Sequence, residues 1–144
     1  MLQEIFKGMD NAAEQINENF GLLGASNETQ IVTANRDLTQ AGIQKITGFS
    51  RKPKYMDVFG VALGTGPTIS IGHVDSNGEQ ASVGINKLVN TTAAGTSAIT
   101  FADSTQNVTN GRIIINEDNS IDIDWTKGGS GATGNAIIRL IAHY

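Results

Sequence analysis

The residues that could carry out chemistry are few and lie far apart in the sequence. Asp122 and Asp124 stand two residues apart, so on a β-strand their carboxylates would share one face. Paired carboxylates can hydrolyse glycosides when a second element sets their separation and raises the pKa of one, and they can bind calcium. The alternation of Asp with Ile also describes an ordinary solvent-facing strand, where Asp opposes edge pairing. We favour the solvent-facing strand.

The histidines and the glycine-rich segment give no stronger case for catalysis. His73 and His143 each lie in a predicted strand, without a second His, Cys or Glu at the spacing of metal ligands. Gly128–Gly134 lacks the Lys-Ser/Thr ending of a phosphate-binding loop, and it precedes a predicted strand where such a loop would precede a helix. A nucleophile-elbow motif is also absent from the sequence. We therefore predict a non-enzymatic protein without metal or cofactor.

Aromatic side chains offer a different chemistry, because a ring can stack on the apolar face of a pyranose and present a polar edge. The candidates for ligand binding in this sequence are Tyr55, Trp125, Asp122 and Asp124. Trp125 is in phase with Ile121 and Ile123 on its predicted strand, which favours a core position for the indole. The pattern alone does not choose among these residues.

Composition and charge exclude several classes of protein. The 144 residues carry a formal net charge of −4, with a pI near 5.0, whereas a nucleic-acid binder normally presents a basic face. No apolar run approaches the roughly 20 residues of a membrane-spanning helix, and the N-terminus does not resemble a signal peptide. There is no cysteine. We expect a product made in the cytoplasm, without membrane insertion or nucleic-acid binding.

The elements that must position these residues are predicted to be mostly strands. Seventeen glycines accompany many Thr, Ser, Asn, Ile and Val residues, a mixture typical of short strands and tight turns. Tyr55–Leu63 reads as a central strand, Asp75–Gly78 as a turn, and Arg112–Asn116 with Ser120–Trp125 as a hairpin. Strands at intervals of about ten residues predict an antiparallel β-sandwich or jelly-roll-like domain over residues 49–144.

Residues 1–24 follow a different pattern, with apolar residues at steps of four and three that predict a short coiled-coil-like helix over residues 11–23. The stripe comprises Phe6, Met9, Ala13, Ile16, Phe20 and Leu23. A helix this short needs burial, either on its own β domain or against the same helix of neighbouring subunits. We favour the second alternative and a bundle wider than a dimer. Residues 25–48 read as a linker with short strands.

Two segments resemble proteins of tailed phages. Ile5–Phe20 resembles the opening of tail, baseplate and receptor-binding proteins of long-tailed phages that infect Gram-positive bacteria, in which Gly-Met-x-x-Ala-x-Glu-x-Ile-Asn begins a short helix that bundles three chains. The matching positions are Gly8, Met9, Ala12 or Ala13, Glu14, Ile16 and Asn17. Thr47–Phe59, together with Asp122–Trp125 and the glycine-rich segment, resembles a β module of phage tail and head-decoration proteins.

The resemblance implies a homotrimeric virion surface protein. The N-terminal helix would bundle three chains and dock them onto other virion proteins, and the β domain would point outward and bind bacterial cell-wall polysaccharide. A second interpretation stays open: a purely structural tail, baseplate or capsid-fibre component, or a head-decoration protein, with no ligand of its own.

Overall fold

The computed structural model describes residues 28–63, 68–86, 91–104 and 106–144. These residues form ten β-strands and no helix, hence no helix that could span a membrane. The strands are β1 Thr29–Asp37, β2 Gly42–Ile46, β3 Tyr55–Leu63, β4 Thr68–Asp75, β5 Gln80–Asn86, β6 Thr91–Gly95, β7 Ile99–Ala102, β8 Val108–Ile115, β9 Ile121–Gly128 and β10 Asn135–His143. The predicted helix over residues 11–23 and its apolar stripe lie outside the described residues.

The strands form two antiparallel sheets, which confirms the mainly β prediction. The six-stranded sheet has the order β1-β10-β3-β4-β5-β6, and the four-stranded sheet has the order β2-β9-β8-β7. Strands β1, β2 and β3 alternate between the sheets and pair with the C-terminal strands. Strands β3 to β6 and β7 to β9 instead follow one another as meanders, so the order is not that of an eight-stranded jelly roll throughout.

The core lies between the sheets and follows the period of two along the strands. On β3, Met56 and Val58 are fully buried. On β9, Ile121, Ile123 and Trp125 point into the core, while Asp122 and Asp124 point the other way and are half-buried. This alternation confirms the predicted orientation of the second arm of the hairpin.

Strand β7 packs unusually close to the six-stranded sheet because glycines on that sheet leave room for its backbone. A Cβ atom on Gly72 would lie 2.1 Å from the carbonyl oxygen of Ala98, and one on Gly84 would lie 2.3 Å from that of Thr100. The Thr100 amide donates a hydrogen bond to the Ser70 hydroxyl at 2.9 Å, and the Ser82 and Thr100 hydroxyls lie 2.8 Å apart. Polar contacts between the sheets therefore accompany apolar packing here.

Residues 25–48 were expected to be a linker with short strands, and the structure shows two strands there that belong to the two sheets. From residue 29 onward this segment supplies β1, paired with β10 over nine residues, and β2, paired with β9. The sequence of β1 is largely polar, as an edge strand allows: Ala34 is its one fully buried residue, and Val32 packs partly against the core. Its pairing thus arises from backbone hydrogen bonds more than from apolar patterning.

Candidate functional site

Four aromatic and ionisable side chains meet at one end of the outward face of the six-stranded sheet. This polar cluster comprises Tyr55, Asp57, His73 and His143. The register places Tyr55 opposite His143 and Asp57 opposite His73, on three adjacent strands. Each of the four alternates along its strand with buried residues such as Met56 and Val74, so all four point away from the core.

Contacts within the polar cluster orient its rings. Tyr55 and His143 are stacked, with ring centroids 4.2 Å apart and an angle of 9° between the planes. The His143 Nε2 and Asp57 Oδ2 atoms lie 3.0 Å apart and share a hydrogen bond. The side chain of His143 is 22% exposed and that of Asp57 is 45% exposed, while Tyr55 is 47% exposed. The cluster is therefore both ordered and accessible.

A shallow, open depression of about 360 Å³ adjoins this cluster. Its lining residues are Asp57, Ile71, Gly72, His73, Ala81, Ser82 and Val83. The carboxylate of Asp57 can accept hydrogen bonds, and the imidazole of His73 can donate one. Hydroxyl groups of a ligand resting on Tyr55 would thus meet donors and acceptors at the same place.

Among the predicted ligand-binding residues, the structure places only Tyr55 in this cluster. Trp125 is 1% exposed, as its phase with Ile121 and Ile123 favoured. Its indole N–H donates to Gln44 Oε1 at 3.0 Å, and the Arg36 guanidinium lies 5.3 Å from the ring centroid. Trp125 is thus a core residue with a satisfied donor, and it offers no ring face to a ligand in this fold.

Asp122 and Asp124 lie on the outward face of the other sheet, away from the polar cluster. Asp122 is opposite Lys45 on β2, and Asp124 is opposite Arg112 on β8. Each carboxylate therefore has a basic residue as its cross-strand neighbour, which is a stabilising arrangement on an exposed sheet. Within the described ranges, no group of three or more His, Asp or Glu residues could hold a metal ion.

Asp118 in the β8–β9 turn has a strongly lowered pKa. Lys45 Nζ donates to Asp118 Oδ2 at 2.8 Å, and the Ser120 hydroxyl donates to Asp118 Oδ1. These bonds, that from Lys45 first, lower the pKa of Asp118 to about 2. The same pairing raises the pKa of Lys45. The contact joins β2 to the turn and lies outside the polar cluster, so we assign it a structural role.

The glycine-rich segment makes internal contacts. The amide of Ala132 donates to the Thr109 hydroxyl at 2.9 Å, and the amide and hydroxyl of Thr133 both donate to Asp103 Oδ2 at 2.8 Å. Ala132 is 1% exposed. These amides are already occupied by protein acceptors, which argues against an anion-binding loop.

The sequence indicated Tyr55 as a candidate, but it did not identify Asp57, His73 and His143 as the neighbours of Tyr55. Asp57 and His143 are 86 residues apart in the chain, and their contact depends on the pairing register of β3 with β10. One signal was available: Tyr55 and Asp57 share a strand face with period two. The sequence contained no signal that would place His143 beside them.

Comparisons with known proteins give weak structural likenesses only. No protein-family model matches the chain, and no curated protein matches it significantly. The tailspike protein of Acinetobacter phage vB_ApiP_P1 is similar to it at 9% identity and a TM-score of 0.31, over 83% of this chain and 22% of the tailspike. Scytalido-glutamic peptidase is similar at 11% identity and a TM-score of 0.25, over 83% of this chain and 61% of the peptidase. TM-scores this low do not establish a shared fold or function.

Proposed function

We infer that this chain is a subunit of a trimeric phage virion surface protein whose β domain binds host cell-wall saccharide through the polar cluster. One observation carries the saccharide part of the proposal. Tyr55 presents an aromatic ring that is nearly half exposed and held in position by its stack on His143. Beside it, Asp57 supplies a partly exposed carboxylate.

This combination suits a sugar ring for physical reasons. The C–H groups on one face of a pyranose are apolar and pack against an aromatic ring, while its hydroxyls point outward at the edge. A carboxylate accepts two hydroxyl hydrogen bonds with charge assistance. The polar cluster supplies both kinds of contact and needs no metal. No catalytic step is part of the proposal.

The virion part of the proposal is supported by the sequence resemblance of Ile5–Phe20. In this proposal residues 11–23 form the coiled-coil-like helix, bundle three chains and dock the trimer onto other virion proteins. The described strands then form the outward domain of each subunit. Short segments of apolar helix are stable when bundled and marginal alone, which fits an assembly role for the stripe.

The test is binding of the purified, fluorescently labelled protein to intact cells of a panel of Gram-positive hosts. A strain that lacks its wall polysaccharide serves as the matched control. We expect saturable binding that disappears with the polysaccharide. If no strain binds while light scattering shows an intact oligomer, the saccharide proposal is wrong, and a purely structural tail or capsid component takes its place.

A further inference from the structure

The outward face of the six-stranded sheet carries a large apolar patch beside the polar cluster. The apolar patch comprises Ile31, Phe59, Val61, Leu63, Ile69, Ile71, Ile85 and Ile137, which are 44–71% exposed. The register aligns its members in rows across β10, β3, β4 and β5; one row runs Ile137, Val61, Ile69, Ile85. The patch is therefore continuous and spans five strands including β1, about 19 Å at the usual strand spacing.

The outward face of the four-stranded sheet differs in composition from the apolar patch. There, Ile43 lies opposite Asp124, and Ile114 lies opposite Asp122. Charged residues thus separate the exposed apolar ones, as expected of a sheet that faces water. A continuous apolar patch on a sheet is instead typical of a surface that is covered by another protein surface.

Charged residues on and beside the apolar patch favour a second copy of this chain as the partner that covers the patch. Arg139 lies in the patch, between Thr33 on β1 and Phe59 on β3, and makes no ion pair with another described residue. At the margin of the same face lies the carboxylate of Asp57, still 45% exposed. A face that carries both an unpaired cation and an accessible anion is complementary to a copy of itself.

The position of the N-terminal segment supports the same partner. Residue 28 leads directly into β1, and Ile31, three residues later, is the first member of the patch. A bundle formed by residues 11–23 of several chains would therefore bring their β1 strands and patches together. The stripe residues of that bundle would face one another and would not be free to cover the patch.

We propose that the apolar patch is an interface between copies of this chain, with Arg139 of one copy near the acidic margin of the next. Assembly by the N-terminal stripe is part of the proposed function, whereas this interface is additional to it. The eight apolar residues of the patch lie outside the polar cluster, and only Asp57 at the margin belongs to both, so the interface is tested by assembly and labelling without any saccharide.

The absence of cysteine in the chain permits a direct test. Val61→Cys places a unique thiol in the patch, and Ile43→Cys places one on the opposite sheet, where Ile43 is 71% exposed. Each full-length variant is labelled with a maleimide while its mass is measured by light scattering. We expect an oligomeric mass and much slower labelling at position 61. Adding Ile137→Lys, which places a charge in the apolar interface, is expected to lower the mass and restore labelling.

Three results would overturn the interface. Equal labelling rates at positions 61 and 43 would show that the patch is open. Slow labelling of position 61 in a species of 15.2 kDa would assign the cover to residues 1–27 of the same chain. An oligomer in which Ile137→Lys changes neither the mass nor the slow labelling of position 61, with circular dichroism showing folded protein, would show that no second copy covers the patch. A matched Ile43→Lys variant controls for the added charge.

Discussion

Tyr55 and His143 stand face to face on neighbouring strands, with ring centroids 4.2 Å apart and nearly parallel planes. Asp57 Oδ2 lies 3.0 Å from His143 Nε2 and shares a hydrogen bond with it. A ring that is stacked on one side and still partly exposed keeps a single orientation, which lowers the conformational entropy lost when a ligand binds. The pair therefore links the register of β3 and β10 to the proposed recognition of saccharide.

Removing the support of this ring should weaken saccharide binding. His143→Ala deletes the stack and the bond to Asp57, and aromatic pairs contribute about 1 kcal/mol. We expect the affinity for wall polysaccharide to fall roughly fivefold, because about 1.4 kcal/mol corresponds to a factor of ten. Isothermal titration measures the change. Arg112→Ala on the opposite sheet is the control, and an equal loss in that variant would contradict the assignment.

The close packing of β7 predicts a steric effect at Gly72. Gly72→Ala would place a Cβ 2.1 Å from the Ala98 carbonyl oxygen and 2.7 Å from the Ser82 Cβ. Since backbone must move, we expect a loss of about 1–3 kcal/mol in the free energy of unfolding, measured by urea denaturation. In Gly128→Ala the nearest atom would be 3.7 Å away. A similar loss in both variants would show that the approach of β7 is not the cause.

The Asp118 contact predicts a dependence of stability on pH. The pKa of Asp118 is lowered from 3.8 to about 2, first by the bond from Lys45 and then by that from Ser120. The stabilisation is therefore present above about pH 3.8 and is lost as the pH falls through 2. Asp118→Ala should lower the melting temperature at pH 7 and have no effect below pH 2.

The carboxyl carbon of Asp118, followed by NMR, gives the second half of this test. Its titration midpoint should move upward in Lys45→Met, because the hydrogen bond from Lys45, which lowers this pKa most, is removed. A midpoint that stays near 2 in Lys45→Met would show that Ser120 and the turn backbone hold the carboxylate without Lys45.

The N-terminal stripe predicts a change of oligomeric mass. Ile16→Asp places a charge on the apolar side of the predicted helix, and a buried unpaired charge is costly. We expect the variant to dissociate in light scattering. Gln15→Asp adds the same charge one residue away, off the stripe, and should keep the mass of the wild type. An unchanged mass for Ile16→Asp would show that the N-terminal stripe does not hold the subunits together.

The sequence predicted those elements in which local pattern and burial agree. Tyr55–Leu63 matches β3 residue for residue, because every second side chain of that strand is apolar and buried. The alternation of Ile with Asp correctly oriented β9. These predictions needed only the period of two, which survives any arrangement of the sheets.

Other features depended on pairing that no local pattern encodes. Strand β1 is polar along most of its length, so only Ile31–Thr33 resembled a strand, although nine residues pair with β10. The polar cluster likewise depends on pairing register, because a shift of β10 by one residue would turn His143 toward the core. Strand order and register thus had to come from the structure.

The most direct measurement titrates wall polysaccharide, purified from a strain that the protein binds, into the wild type, Tyr55→Ala and Tyr55→Trp. We predict saturable binding for the wild type, its loss in Tyr55→Ala, and its retention in Tyr55→Trp, because the tryptophan variant keeps an exposed ring. The oligomeric mass and melting temperature of each variant serve as controls. Binding by folded Tyr55→Ala with the affinity of the wild type would contradict the assignment of the polar cluster as the saccharide site.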